Sequence, residues 1–182
     1  VAFGPKNLGL NEEEIKIRVK ESLQLVNLDY QSFRDKSPFR LSGGQQRRVA
    51  IAGVLAMKPE VLILDEPTAG LDPKTRKELM DEIIALQQNF SLTIILISHR
   101  MEEIAQLADR ILVLDQGELA LEGSPKDVFK NQELLERIGL GVPQITEVLQ
   151  KLKSKNNAVA TDIFTIEEAK AEILKVCEGR RC

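Results

Sequence analysis

Hydrophobic residues recur at helical spacing early in the chain and gather into short continuous runs further along. Ile15, Val19, Leu23 and Val26 share one helical face, and Asn11 before them is suited to begin that helix. Spacing and capping residues together predict helices over residues 11–26, 42–57, 72–88 and 101–108. The stretch between the first two of these helices is polar from residue 29 to 40.

The apolar runs predict β-strands. Residues 61–64 and 93–97 are continuous in hydrophobicity, which is typical of parallel strands buried on both faces. Residues 111–114 and 119–121 flank a polar turn and predict a hairpin. Because strands alternate with helices, the sequence predicts an α/β layered fold with a mainly parallel sheet.

The pattern changes after Gly123, where only short helices are predicted. Thr165 and Glu168 form a capping-box pattern before the last of them. The stretch 151–162 is polar, and we expect it to be a loose link. The predicted organisation is an α/β domain at 1–123, a helical subdomain within it at about 5–57, and a mostly helical extension at 124–182.

The composition is that of a globular protein with a packed core. The chain has 182 residues, of which 43% are hydrophobic and 29% charged, and its formal net charge is −3. This slightly acidic balance argues against nucleic acid as a partner, and the apolar runs are too short to cross a bilayer. Cys177 and Cys182 lie near the C-terminal end of the sequence. A disulfide there cannot cross-link the rest of the fold, and two cysteines do not complete a zinc site.

A serine and two glycines open the second predicted helix, in the sequence Leu41-Ser42-Gly43-Gly44-Gln45. The first backbone N–H groups of a helix have no partner within it, the helix dipole favours an anion there, and glycine lets a ligand approach the backbone. The segment therefore has the chemistry of a phosphate-binding helix start. The alternative is an ordinary serine N-cap, but a chance match to all five residues is on the order of one in ten thousand.

Two carboxylates follow the first predicted strand at its C-terminal end. Asp65 and Glu66 are expected in the crevice where open α/β sheets bind ligands. An aspartate there suits Mg²⁺, which prefers hard oxygen ligands, and Glu66 is placed to act on an attacking water as a general base. The alternative is a polar loop that begins after a strand. Asp72 is either a plain N-cap or a residue that reaches across to a partner.

The single histidine, His99, follows the apolar run 93–97. A lone histidine is more often packed or solvated than functional. Because His99 and Glu66 both leave a strand at its C-terminal end, we expect them at the same edge of the sheet. We therefore interpret His99 as a functional residue.

Together, these segments resemble a known set of motifs. Residues 41–45, 62–68, 70–72 and 97–99 are similar, in type and in order, to the signature motif, Walker B motif, D-loop and switch histidine of ATP-binding-cassette (ABC) ATPases. The resemblance covers about the middle third of the chain. It implies a P-loop NTPase-like ABC ATPase fold and an ATPase that uses ATP and Mg²⁺.

The resemblance also implies a nucleotide site that two ATPase subunits share. In that arrangement one subunit holds most of the ATP, and the other binds the γ-phosphate through Ser42, Gly43 and Gly44. In this chain, Leu41 and Gln45 flank these three residues, and the ATP is held mainly by the partner subunit.

The remaining implied roles belong to four side chains. Asp65 lies near Mg²⁺, Glu66 is the catalytic base, His99 contacts the γ-phosphate and Asp72 communicates across the dimer. Catalysis would then consist mostly of positioning and charge stabilisation, as expected for phosphoryl transfer.

A narrower likeness is to the energy-coupling-factor ATPases, on residues 1–9, 141–143 and 163–168. It implies a peripheral protein on the cytoplasmic face of the cell membrane that powers uptake of a vitamin or a transition-metal ion. The implied partners are a second ATPase subunit, identical or paralogous, a transmembrane coupling subunit and a substrate-binding membrane subunit.

Two motifs of that family do not occur in these 182 residues. No Gly-x4-Gly-Lys-Ser/Thr phosphate loop is present, and neither is the Gln-loop. Residues 1–4 resemble the interior of a secondary-structure element, so we expect further sequence before Val1. We expect residues 1–182 alone to lack ATPase activity and to expose apolar sheet surface. The alternative is a natural, catalytically dead remnant.

Three functions compete on this evidence. The leading hypothesis is an importer ATPase that dimerises head-to-tail around two ATP molecules and moves the coupling helices of a membrane partner. The second is a non-transport ABC ATPase in translation or DNA repair. Such proteins typically have a second cassette, long coiled coils or basic patches, and none of these is visible in the sequence. The third is a non-enzymatic module that only supplies residues 42–45 to a partner's site.

Overall fold

The structure is a computed structural model that describes residues 1–90 and 92–178. Its contacts divide the chain into two units, Val1–Ile97 and the residues from Ser98 onward. The domain boundary predicted after Gly123 falls inside the second unit and stays a prediction.

Side-chain caps begin several helices of the first unit. Asn11, Asp29 and Ser42 each accept a hydrogen bond from the backbone N–H three residues on, which satisfies a donor that the helix start leaves open. In the part of the chain that the structure describes, the helices of this unit are α1 (Phe3–Asn7), α2 (Glu12–Leu25), α3 (Tyr30–Phe33), α4 (Gly43–Leu55) and α5 (Pro73–Phe90).

Three helices predicted from the sequence, over 11–26, 42–57 and 72–88, are thus confirmed with small differences at their ends. The stretch 29–40 contains more structure than its polarity indicates, since it forms α3 and a 3-10 turn at Pro38–Arg40.

The strands of the first unit form a parallel pair. β1 (Val61–Asp65) and β2 (Thr93–Ile97) run in register from Val61 opposite Thr93 to Asp65 opposite Ile97. This pairing confirms the predicted parallel strands.

The prediction that both strands are buried on both faces is wrong. Leu62 and Leu64 are buried, whereas the alternate residues of β1 are exposed, because the described residues cover only one face of that strand. Exposed apolar sheet surface was expected from the sequence and is confirmed at Val61, Ile63, Ile95 and Ile97, which are 47–61% exposed.

The core of the first unit comes from the inward faces of α2, α4, α5 and β1. Its members are fully apolar and almost inaccessible to solvent, and they include Leu23, Val26, Ile51, Ala52, Leu62, Leu79 and Ile83. Burial of these side chains is the main force that holds the helices on the strand pair.

The second unit begins with a helix and an antiparallel hairpin. The hairpin joins β3 (Ile111–Asp115) to β4 (Glu118–Gly123) and confirms the prediction. Gln116 and Gly117 form its turn with φ angles of 49° and 85°, and two left-handed residues match the twist of a two-residue hairpin. The described helices of this unit are α6 (Met101–Leu107), α7 (Pro125–Phe129), α8 (Gln132–Arg137), α9 (Gln144–Lys153) and α10 (Ile166–Glu178).

The segment between α9 and α10 is held in place, so the prediction of a loose link at 151–162 is wrong. Val159 is buried in a cluster with Leu149 and Ala169. The backbone N–H of Ala160 donates to the Glu172 carboxylate at 2.8 Å. These tertiary contacts fix a segment whose composition alone indicates flexibility.

Two further sequence expectations concern the end of the chain and the membrane. Thr165 Oγ1 accepts from the N–H of Glu168 at 3.3 Å, as the capping pattern predicts. Cys177 is an exposed free thiol, and Cys182 lies outside the described residues. Among the described residues, no helix combines the length and the hydrophobicity that crossing a bilayer requires.

Replacement of Leu149 by alanine is expected to destabilise the protein strongly. Leu149 is fully buried in the α9–α10 cluster, so the truncation removes buried methyl groups and leaves a cavity. We expect the free energy of unfolding in urea to fall by about 2–5 kcal/mol. Leu152→Ala, at a 36% exposed position on the same helix, is the control and should cost clearly less. Equal losses for the two variants would contradict the described cluster.

Candidate functional site

The start of α4 carries the first group of predicted site residues. Ser42 is the N-cap: its Oγ accepts from the N–H of Gln45 at 3.3 Å, and Gln45 Oε1 accepts from the N–H of Ser42 at 3.2 Å. This reciprocal pair is a capping box and fixes the first turn. By helix geometry, the N–H groups of Gly43 and Gly44 have no acceptor within the helix. Leu41 before them is buried and anchors the segment.

The two glycines have different surroundings. A Cβ built on Gly43 meets no heavy atom within 4 Å, whereas a Cβ on Gly44 would lie 2.5 Å from Thr75 Cγ2. Gly43 therefore borders open space from which a ligand can reach the backbone. Gly44 is instead required because α5 packs directly against it.

Asp72 begins α5 on the other side of that contact. Its Oδ1 accepts from the N–H groups of Lys74 and Thr75, at 3.1 and 3.0 Å, and its Oδ2 accepts from the Thr75 hydroxyl at 2.6 Å. The Thr75 hydroxyl, helped by these backbone donors, lowers the pKa of Asp72 below its usual value. The structure thus brings residues 42–45 and Asp72 together through Thr75, a residue that the sequence analysis missed.

Asp65 and Glu66 lie at the C-terminal end of β1, as predicted. Asp65 is exposed and stands opposite Ile97 in the strand register. The N–H of Glu66 donates to the carbonyl of Ile97 at 2.9 Å, so the parallel pairing continues to this residue. Glu66 has a φ of 44°, a left-handed conformation that is uncommon for a residue other than glycine. The chain therefore turns sharply at Glu66, and strained backbone of this kind clusters at functional sites.

The loop after Glu66 is well anchored. The N–H of Ala69 donates to the Glu66 carbonyl at 3.1 Å, and the side chains of Pro67 and Thr68 are buried. The unusual backbone of Glu66 is held from both sides as a result.

His99 is exposed and belongs to the second unit, between two residues that share a buried partner. Ser98 Oγ donates to Glu103 Oε2 at 3.2 Å, and Arg100 Nε lies 3.0 Å from Glu103 Oε1. The N–H of Arg100 also donates to Ser98 Oγ at 3.1 Å. Glu103 therefore contacts the side chains of both neighbours of His99. In the sequence, only the helical spacing of Glu103 from Arg100 indicates such a contact. The predicted meeting of His99 with Glu66 stays a prediction.

The exposed carboxylate of Asp65 is an oxygen donor of the kind that Mg²⁺ prefers. Among the residues that the structure describes, no group of three or more His, Cys, Asp and Glu side chains is arranged to hold a metal ion. Mg²⁺ typically takes one or two carboxylates and completes its shell with phosphate oxygens and waters. Asp65, an exposed carboxylate at a strand end, suits that mode of binding.

Comparisons of the sequence find related proteins over nearly the whole chain. The family described as ABC transporter matches residues 5–69. Energy-coupling factor transporter ATP-binding protein EcfA2 of Clostridium tetani is 57% identical over 180 residues, which cover 99% of this chain and 62% of the relative. EcfA1 of Clostridium novyi is 50% identical, with 92% and 59% covered. The chain thus spans less than two thirds of the length of either relative.

Solved structures give the same result. A structure of cbiO1 from Clostridium perfringens, described as part of the ABC transporter complex cbiONQ, has a TM-score of 0.65 at 40% identity and covers 82% of this chain and 59% of that one. The ATP-binding cassette MJ0796, a dimer bound to ADP and Pi, has a TM-score of 0.55 at 34% identity, with 64% and 49% covered. These likenesses confirm the predicted α/β fold class.

The contact between Gly44 and Thr75 gives a prediction with an internal control. Gly44→Ala is expected to lower the free energy of unfolding in urea by about 1–3 kcal/mol, because its Cβ overpacks against Thr75. Gly43→Ala adds the same methyl group into open space and should cause no such loss.

Adding Thr75→Ser to Gly44→Ala should recover most of the stability, since serine lacks Cγ2 but keeps the hydroxyl that bonds Asp72. Equal effects of the two glycine substitutions, or no recovery in the double variant, would contradict the described packing.

Proposed function

We propose that the protein is the ATP-hydrolysing subunit of an energy-coupling-factor importer, a proposal supported by its likeness to energy-coupling factor transporter ATP-binding proteins. The observation that carries this proposal is the start of α4, where a capped helix presents Ser42 and the N–H groups of two glycines, with open space beside Gly43. The transported solute is a vitamin or a transition-metal ion, chosen by other subunits.

The γ-phosphate of ATP binds at this helix start. The Ser42 hydroxyl and the N–H groups of Gly43 and Gly44 donate to its oxygens, in hydrogen bonds that the phosphate charge strengthens. The capping box already holds these donors in place, so little reorganisation is needed when the nucleotide arrives. Leu41 and Gln45 flank the donors, and most of the ATP is held by the partner subunit.

Asp65 is the protein ligand that would hold Mg²⁺, directly or through water. When bound, the ion neutralises charge that develops on the phosphate oxygens. Side chains of this chain also supply the general base, a contact to the γ-phosphate and a contact across the dimer.

Glu66 acts as general base and takes a proton from the water that attacks the γ-phosphorus. Its left-handed backbone donates a hydrogen bond to the carbonyl of Ile97, which fixes the point where the side chain leaves the main chain. His99 contacts the γ-phosphate, with its neighbours held by Glu103. Asp72 reaches towards the partner subunit across the dimer.

The proposed assembly is a dimer of ATPase subunits on the cytoplasmic face of the membrane. Its other components are a transmembrane coupling subunit and a substrate-binding membrane subunit. Support comes from the relatives, because cbiO1 is described as part of a transporter complex and MJ0796 is described as a dimer. Nucleic acid is not among the proposed partners.

The role of Glu66 is tested by Glu66→Gln in the complete natural gene product that contains this chain, assembled with its membrane partners. The amide keeps the shape of the side chain but cannot accept the proton, so ATP hydrolysis should fall by about 10²–10⁴-fold. Binding of ATP should be retained. Glu60→Gln, an exposed carboxylate just before β1, is the control and should hydrolyse ATP at the wild-type rate. An active Glu66→Gln variant would overturn the assignment of the base.

The transport role is tested separately, by purification of the tagged natural gene product from detergent-solubilised membranes. We expect integral membrane subunits to co-purify, identified by mass spectrometry. Recovery with ribosomes or with DNA-repair proteins, and with no membrane protein, would favour a non-transport ABC ATPase instead.

A further inference from the structure

The faces of α4 and α5 that touch each other carry a regular set of side chains. Gly44 and Arg48 are four residues apart on α4 and therefore share one face. Thr75, Glu78 and Glu82 likewise share one face of α5, at spacings of three and four. We call the meeting of these two faces the α4–α5 contact.

One end of the α4–α5 contact is steric. Thr75 Cγ2 occupies the position that a Cβ on residue 44 would need, so the two helices approach as closely as a glycine allows. The same threonine donates its hydroxyl to Asp72. The phosphate-facing start of α4 therefore lies directly against the residue that orients Asp72.

The other end of the contact is ionic and mostly buried. Arg48 Nη2 lies 3.0 Å from Glu82 Oε1 and 3.2 Å from Glu78 Oε2. The Glu82 side chain is only 9% exposed and the Arg48 side chain 16%, whereas Glu78 is half-exposed. Loss of one partner would leave a charge buried without compensation, which makes the Arg48–Glu82 pair costly to separate.

A third segment joins at the same carboxylate. Asn27, which follows α2 with a φ of 54°, donates from Nδ2 to Glu82 Oε1 at 3.0 Å. Glu82, on α5, therefore accepts a hydrogen bond from the end of α2 and forms an ion pair with α4. None of these residues is needed to bind nucleotide in the function proposed above.

Two attachments fix an orientation that one attachment cannot. Thr75 and Glu82 are separated by seven residues of α5, which is about 10 Å along the helix axis. The apolar core and the contact at Gly44 hold α4 against α5, but neither is a directional bond that defines the angle between the two helices. With Arg48 bound to Glu82 as well, both the crossing angle and the rotation of α4 are set.

We propose that Arg48 and Glu82 are positioning residues that lock α4 onto α5, so that residues 42–44 and Asp72 approach the shared nucleotide as one rigid body. This inference rests on the proposed function, in which both groups face an ATP held mainly by the partner subunit. A pivot of α4 misaligns the donors for the transition state. It leaves ground-state binding of ATP largely intact, because that binding depends mainly on the partner.

The experiment compares Glu82→Gln and Arg48→Lys with wild type in the complete natural gene product, assembled with its partner subunits. For Glu82→Gln we expect kcat to fall roughly 10- to 100-fold, while KM for ATP changes by less than about twofold. Arg48→Lys should lie between the two, because it keeps the positive charge on a shorter side chain that lacks the planar donor geometry of the guanidinium. If Glu82→Gln does not fold, Arg48→Lys alone decides the outcome.

The matched control is Glu14→Gln, which breaks the Arg18–Glu14 ion pair on α2 at 2.6 Å. It removes a carboxylate from an arginine away from the α4–α5 contact and should leave kcat unchanged. A thermal unfolding midpoint is measured for every variant. A loss of kcat that merely tracks the unfolded fraction would overturn the positioning role.

Spin labels at the exposed positions Ala50 and Lys77 report the geometry of the two helices without any need for activity. We expect the distance distribution to broaden in Glu82→Gln and to stay narrow in Glu14→Gln. An unchanged distribution together with wild-type kcat would overturn the inference alone. A wild-type protein that does not hydrolyse ATP would overturn the proposed function, and the label distances would still decide whether the α4–α5 contact is locked.

Discussion

The burial of one carboxylate, that of Glu82, sets the arrangement of the helices in the first unit. A charged group is stable away from water only if partners replace its hydration, and here Arg48 and Asn27 supply the donors. Those two residues belong to α4 and to the end of α2, so three segments meet at Glu82 Oε1. The apolar core supplies the driving force for packing, and separation of this buried ion pair would leave a charge without compensation.

The groups that face the nucleotide in the proposed function stand on anchored backbone but remain open to solvent themselves. Ser42 caps a helix whose first turn is closed by Gln45, and Glu66 follows a strand whose pairing extends to its own N–H. His99 is exposed between two residues tied to one buried glutamate. Rigid support beneath an accessible group is what a site needs when catalysis consists of positioning.

Local features of this fold were predictable from the sequence, because they depend on residues a few positions apart. The cap of α2 at Asn11, the hairpin turn at Gln116–Gly117 and the helix that begins after Ser42 are of this kind. The strand burial was not predictable, since a continuous apolar run does not reveal which of its faces other elements will cover.

The same distinction separates the site residues that sequence reasoning found from those that it missed. Residues 41–45, Asp65, Glu66 and Asp72 stand out because their motifs are contiguous in the chain. Thr75, Glu82 and Glu103 are ordinary helical residues whose importance comes from partners that only the tertiary structure brings near. The carboxylate of Glu82 and its partner Asn27, for example, are 55 positions apart.

The methyl group of Thr75 also has a consequence for how this sequence can evolve. As long as it occupies the space beside Gly44, any larger residue at position 44 is expected to destabilise the contact between the two helices. Loss of that methyl at position 75 is nearly silent by itself, because a serine keeps the bond to Asp72. A larger residue at position 44 is therefore expected to be tolerated only after a substitution at position 75 has removed the methyl group.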